Sequence, residues 1–211
     1  MALGTIVTRE GARYTLTERD LVWAARMVVG EGATDGPAVL WAMTQRFMLP
    51  QVRRRFRTFS SFIRAYSQPI NPRWTRGGEF CRPGGRFSRT RLCRPEVLDR
   101  RDRVARLRSS EIPRSVREVV RRWSQARLPN PVPRTTDFAS REIRARPVFV
   151  LTFAKRNLFY GLRGVTERWG PNQVVIRLGR RVASAVPAVG GFLVVAAIVS
   201  GAIWLASRLS R

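Results

Sequence analysis

The stretch TERDLVWAARMVVGEGATDGPAVLWAMTQRF, residues 17–47, decides the fold class. Thr17-Glu18-Arg19-Asp20 has the form of a helix N-terminal capping box, with Asp20 where Glu or Gln is usual. Leu16 and Leu21 flank it as a hydrophobic staple. Apolar residues then recur at Leu21, Ala24, Ala25, Val28 and Val29, a one-face helical period. Gly30 and Gly32 end that helix around Glu31. A second helix is predicted to open at Asp35-Gly36-Pro37, with Asp35 as its cap and Pro at an early position, and to run through AVLWAMTQRFML, residues 38–49.

Outward from this pair, a shorter helix is predicted over residues 58–66, and two more over 95–110 and 112–127. Residues 67–95 hold several Gly and Pro and no clear period, which reads as a long structured loop. Pro129, Pro131 and Pro133 interrupt the chain, and residues 138–160 read as helical or extended. The reading is a mainly α domain.

Composition narrows the chemistry. Lys and Arg number 40 against 14 Asp and Glu, so the formal net charge of +26 draws the surface to polyanions: nucleic acid, anionic lipid or wall polymers. There is no histidine, so a Ser-His-Asp triad, a Cys-His pair and a His-ligated zinc centre are excluded. A hydrolytic function would rest on carboxylates, and neither cofactor nor metal is expected. Cys81 and Cys93, in a Gly- and Pro-rich stretch, are open to two readings: a loop-closing disulfide in an oxidising compartment, or two free thiols in a reducing one.

Residues 182–207 contain no charge, and their centre is GGFLVVAAIVSGAIWLA, residues 190–206. A helix needs roughly 20 apolar residues to cross about 30 Å of hydrocarbon, so a single C-terminal transmembrane helix is expected, flanked by Arg177, Arg180 and Arg181 before and Arg208 and Arg211 after. The basic excess on the N-terminal side would hold the main domain in the cytoplasm. The N-terminus, MALGTIVTREGARY, shows neither a charged n-region nor a long apolar segment, so no cleavable signal peptide is expected.

Glu31 is the first candidate for chemistry. A carboxylate at a helix C-terminus faces partial negative charge, and apolar neighbours add a desolvation penalty. Both raise its pKa, as a glycosidase general acid requires; the alternative is an ordinary solvated turn residue. The stretch AARMVVGEGATDGPAVLWAMTQRF resembles the opening motif of the cell-wall hydrolase family that includes spore-cortex-lytic enzymes. Ala25-Arg26, Glu31, Gly36, Ala38-Val39 and Gln45-Arg46 occupy matching places, with a shorter Glu-to-Gly spacing and Gln45 where Asn is common. The family belongs to the lysozyme-like superfamily, and the resemblance implies that Glu31 is the catalytic acid. It further implies that Gln68, after Tyr66-Ser67, lines the cleft, and that Tyr160 of Asn157-Leu158-Phe159-Tyr160 lies near the site. The loop residues Tyr66, Asn71 and Trp74 are further candidates to bind sugar, weighed against plain loop packing.

The expected organisation is therefore an N-terminal tail (1–14), a lysozyme-like peptidoglycan-cleaving domain (15–160), a basic linker (161–185), a transmembrane helix (186–207) and a basic tail (208–211). With one catalytic Glu, a lytic transglycosylase cleaving the bond between N-acetylmuramic acid and N-acetylglucosamine is favoured. A two-carboxylate hydrolase would need Asp35 or Glu79 as partner. The expected partners are glycan strands and, through 186–207, a bilayer, with non-specific contact to nucleic acid or anionic lipid and, on a phage origin, to virion proteins. Delivery in a phage particle would bring the domain to the wall side without a signal peptide. Two competing classes are a non-enzymatic virion or membrane protein with a glycan- or nucleic-acid-binding domain, and a DNA-binding membrane protein. The latter is disfavoured by the lack of a groove-reading motif.

Overall fold

The capping box of the first helix is formed in full: the Thr17 side chain accepts from the Asp20 N–H, and Asp20 accepts from the Thr17 N–H at 2.9 Å. Asp20 is fully buried and also accepts from the Tyr14 hydroxyl at 2.7 Å and the Ser60 N–H at 2.7 Å. A local capping signal thus doubles as a tertiary clamp that fixes where the chain enters the helix. A computed structural model describes residues 3–139, 148–153 and 157–178, with side chains outside 149–153.

Among these residues there are six α-helices: α1 (Glu18–Glu31), α2 (Gly36–Phe47), α3 (Pro50–Arg55), α4 (Phe59–Tyr66), α5 (Pro95–Arg106) and α6 (Arg114–Ser124). The second helix was expected to run to residue 49. It stops at Phe47 because Pro50 has no N–H to continue the ladder and serves instead as the first residue of α3. The region 67–95 is a succession of hydrogen-bonded turns and single turns of 3-10 helix.

Strands β1 (Gly4–Thr8), β2 (Arg13–Thr15), β3 (Asp137–Ala139), β4 (Val148–Phe153), β5 (Leu158–Leu162) and β6 (Val174–Leu178) make two antiparallel three-stranded sheets, ordered β2-β1-β6 and β3-β5-β4. The first joins residues on both sides of the expected domain limits of 15 and 160. Residues 4–8 are a buried central strand rather than a tail, and residues 174–178, expected in a linker, pair with them in the register Ile6↔Ile176. The physical reason is the β-branched composition of GTIVT and VVIRL: each fits a pleated, half-buried surface better than a free coil.

Helix α2 lies at the centre, with ten of its twelve residues buried. Its last residue, Phe47, forms a cluster with Phe59, Phe62 and Trp123 in which neighbouring ring centroids are 5.3–6.1 Å apart. Each such side chain contributes roughly 1.5–3 kcal/mol through burial. Its indole donors are satisfied: Trp123 Nε1 donates to Thr44 Oγ1, and Trp41 Nε1 of α2 donates to the Leu128 carbonyl. A satellite cluster joins Trp74, Phe80, Phe87 and Leu98 around the Cys81–Cys93 disulfide. The expected transmembrane helix (186–207) and tail (208–211) lie outside the described residues. Among the described residues no helix is long and apolar enough to cross a membrane.

Candidate active site

Glu31 is the last residue of α1, and Gly32 follows at φ 101°, a left-handed conformation that costs a side-chain-bearing residue strain. The turn aims the helix end at a cleft of about 430 Å³ lined by Glu31, Met43, Arg46, Tyr66, Gln68, Pro69, Asp137, Phe138 and Asn157 among others. Gly30 belongs to the same wall. A Cβ there would meet Pro69 Cβ at 2.5 Å, so α1 and the turn carrying Ser67 and Gln68 approach closely because position 30 bears no side chain.

Burial pushes the Glu31 carboxyl above the usual carboxylate range. The Ser67 hydroxyl, donating to Oε1 at 2.8 Å, acts against that by favouring the charged form. The last turn of α1 has no basic residue, and the described residues give Glu31 no salt-bridge partner.

The cleft's arginine is engaged elsewhere. Arg46 of α2 is ion-paired with Asp137 of β3, and its guanidinium lies 4.4 Å from the Tyr66 ring centroid. Burial lowers the Arg46 pKa, which Tyr66 and Tyr160 partly offset. Thr136 adds a hydroxyl donor to Asp137 at 2.9 Å.

Gln45 explains how Asp137 arrives. Its buried amide donates to the carbonyls of Val132 and Thr135 at 2.9 and 2.8 Å, and its carbonyl accepts from the Arg134 N–H at 3.0 Å. One side chain thus pins the Pro-rich segment that leads into β3. The neighbouring pair Gln45-Arg46 fixes first the loop and then the carboxylate it delivers.

Of the residues singled out from sequence, Glu31, Tyr66 and Gln68 share this cleft, while Asn71, Trp74 and Tyr160 are not among its lining residues. Asn71 is buried, donating to the Ala65 carbonyl at 2.7 Å and capping the next turn at the Arg73 N–H. Trp74 stacks on Phe87 and packs on Phe80 at 4.9 Å each, in the disulfide cluster. Both sit in loop packing outside this cleft, with Asn71 buried and Trp74 half-buried. Tyr160 pairs with Asp137 across the sheet; the cleft residue of its motif is Asn157, which donates to buried Asp35 at 2.9 Å.

Neither Asp35 nor Glu79 is among the residues that line the cleft. Asp35 stands at the helix cap position without a side-chain capping bond and does not line the cleft. Glu79 is exposed and held by Arg73 through two 2.8 Å bonds. Sequence reasoning missed Asp137 and left Arg46 without a role. Arg46 was visible in the motif, whereas Asp137 follows a Pro-rich run with no periodic signal. Arg26 of the same motif is structural: its Nε donates to the Leu107 carbonyl at 3.0 Å while the guanidinium stacks on Trp23. Compared with protein families, curated proteins and solved structures, the chain matches none of them.

Proposed function

We propose that this chain is a peptidoglycan glycosidase of the lytic transglycosylase type, with a lysozyme-like domain in which Glu31 is the proton donor. The observation that carries the reading is the contrast between the cleft's two acids: Glu31 is desolvated and has no salt-bridge partner among the described residues, whereas Asp137 is ion-paired with Arg46. A group kept protonated can protonate the glycosidic oxygen between N-acetylmuramic acid and N-acetylglucosamine as the sugar becomes oxocarbenium-like. The resulting carboxylate then takes the proton of the muramoyl 6-hydroxyl, whose oxygen closes on the anomeric carbon to give a 1,6-anhydro end. The cycle needs one carboxyl group and no water. Tyr66, Gln68 and Asn157 supply the polar and aromatic surface that suits N-acetylated sugars. The uncharged run 186–207 is proposed as the anchor and a phage particle as the vehicle, on the strength of the sequence.

The test is digestion of purified sacculi by the full-length chain in mild detergent, comparing wild type with Glu31→Gln. Anhydro-ended muropeptides from wild type alone, read by mass spectrometry, support the proposal. Reducing ends would indicate a hydrolase instead, and equal release by both proteins would remove Glu31 from the chemistry. Retention on sacculi without release would make this a glycan-binding protein.

A further inference from the structure

The disulfide-closed segment presents a concentrated charge that the cleft does not use. Residues 80–95 read FCRPGGRFSRTRLCRP and contain no acidic residue. Arg82, Arg86, Arg89, Arg91 and Arg94 are all exposed, and none is ion-paired among the described residues. Elsewhere many arginines are occupied: Arg73, Arg76 and Arg121 by carboxylates, Arg26 and Arg101 by carbonyls.

The scaffold beneath these five is hydrogen-bonded and cross-linked. Turn bonds run from the Phe87 N–H to the Phe80 carbonyl at 3.0 Å, from Thr90 to Phe87 at 2.9 Å and from Cys93 to Thr90 at 3.0 Å. The Cys81–Cys93 bridge closes the segment. From outside, buried Arg101 donates to the Trp74 and Leu92 carbonyls at 3.2 and 2.8 Å. Fixing the backbone in advance lowers the ordering cost of binding. Planar guanidinium forks match phosphate oxygens bidentately.

From this we infer that the 81–93 loop, with Arg94, is a docking surface for a polyol-phosphate polymer of the cell envelope. Three observations favour that partner over other polyanions. The rings of Trp74, Phe80 and Phe87 are half-buried and packed against one another rather than set out as a stacking platform, and the loop offers no α-helix or β-ribbon to a DNA groove. It exposes no large apolar side chain to enter a bilayer; among the described residues the exposed ones are Tyr66, Val165 and Leu178. Its disulfide belongs to an oxidising compartment, where wall polymers carry repeated phosphodiesters. The inference uses no residue of the cleft, so Glu31→Gln leaves it untouched.

The experiment titrates the full-length chain in mild nonionic detergent with synthetic poly(glycerol phosphate), across a salt series. Duplex DNA of equal phosphate number and anionic phospholipid vesicles are run in parallel. The loop variant carries Gln at Arg82, Arg86, Arg89, Arg91 and Arg94. The control carries Gln at five scattered exposed arginines: Arg13, Arg19, Arg57, Arg163 and Arg168. Unfolding curves confirm that both are folded. The expected result is at least ~10-fold weaker binding for the loop variant, with the slope of log affinity against log salt reduced by up to about 3.5, while the control changes little. Equal losses in the two variants would overturn the inference in favour of diffuse charge. Loop-dependent binding that is as tight or tighter for DNA or for vesicles would overturn it in favour of those partners.

Discussion

The two walls of the cleft treat an acid in opposite ways. On the α1–α4 wall, Glu31 is desolvated, opposed by a helix C-terminus and touched by one hydroxyl. On the α2–β3 wall, Asp137 has a guanidinium, a hydroxyl and a place in a sheet. The first arrangement raises a carboxyl's pKa; the second pairs a carboxylate with a cation and ties β3 to α2.

That comparison breaks outright if Glu31→Gln remains active. The expected loss is about 10³-fold in muropeptide release, within the range for removing a general acid, with the thermal unfolding profile intact. The opposite wall should respond in stability. Arg46→Met leaves Asp137 without its cation, and with the two side chains 25% and 14% exposed the cost is about 2 kcal/mol in urea unfolding, below the value for a fully buried pair. Adding Asp137→Asn should recover part of it, giving a measurable coupling in the double-mutant cycle.

A subtler difference concerns pH. Because burial raises the Glu31 pKa, the folded state keeps a proton that the unfolded chain releases. Stability from this group is complete below the ordinary Glu range and is lost as pH rises through the folded-state value. Glu31→Gln should therefore raise the melting temperature above that pH and leave it unchanged in acid. The smallest effect belongs to Ser67→Ala. Without the donor that favours the carboxylate, the alkaline limb of the activity profile should move to higher pH; a shift to lower pH would contradict the assignment of Ser67.

The helical half was legible because its signals are local. Thr17 with Asp20, the Leu21–Val29 period and Pro37 each act within a few residues, and α1, α2 and α4 begin close to where they were expected. What Asp20 also does, receiving Tyr14 and Ser60, depends on chain brought in from elsewhere. The β1–β6 sheet was missed for that reason: GTIVT and VVIRL carry strand propensity, but their partnership spans most of the sequence. Within the cleft, Glu31 was marked by its place at an apolar helix end and by the motif resemblance, and Gln68 by the resemblance alone. Asp137 came from nothing local, since its place depends on Gln45 gripping the Pro-rich loop.

The pairing of Ile6 with Ile176 has a consequence for synthesis. At about 5–20 residues per second, a ribosome needs roughly 10–30 s between making the first strand and making the one that covers its free edge. Throughout that interval a short hydrophobic ribbon with one unsatisfied side is exposed to other nascent chains. Slowed translation in the second half of the message should therefore cost yield through aggregation, with no change to the finished molecule.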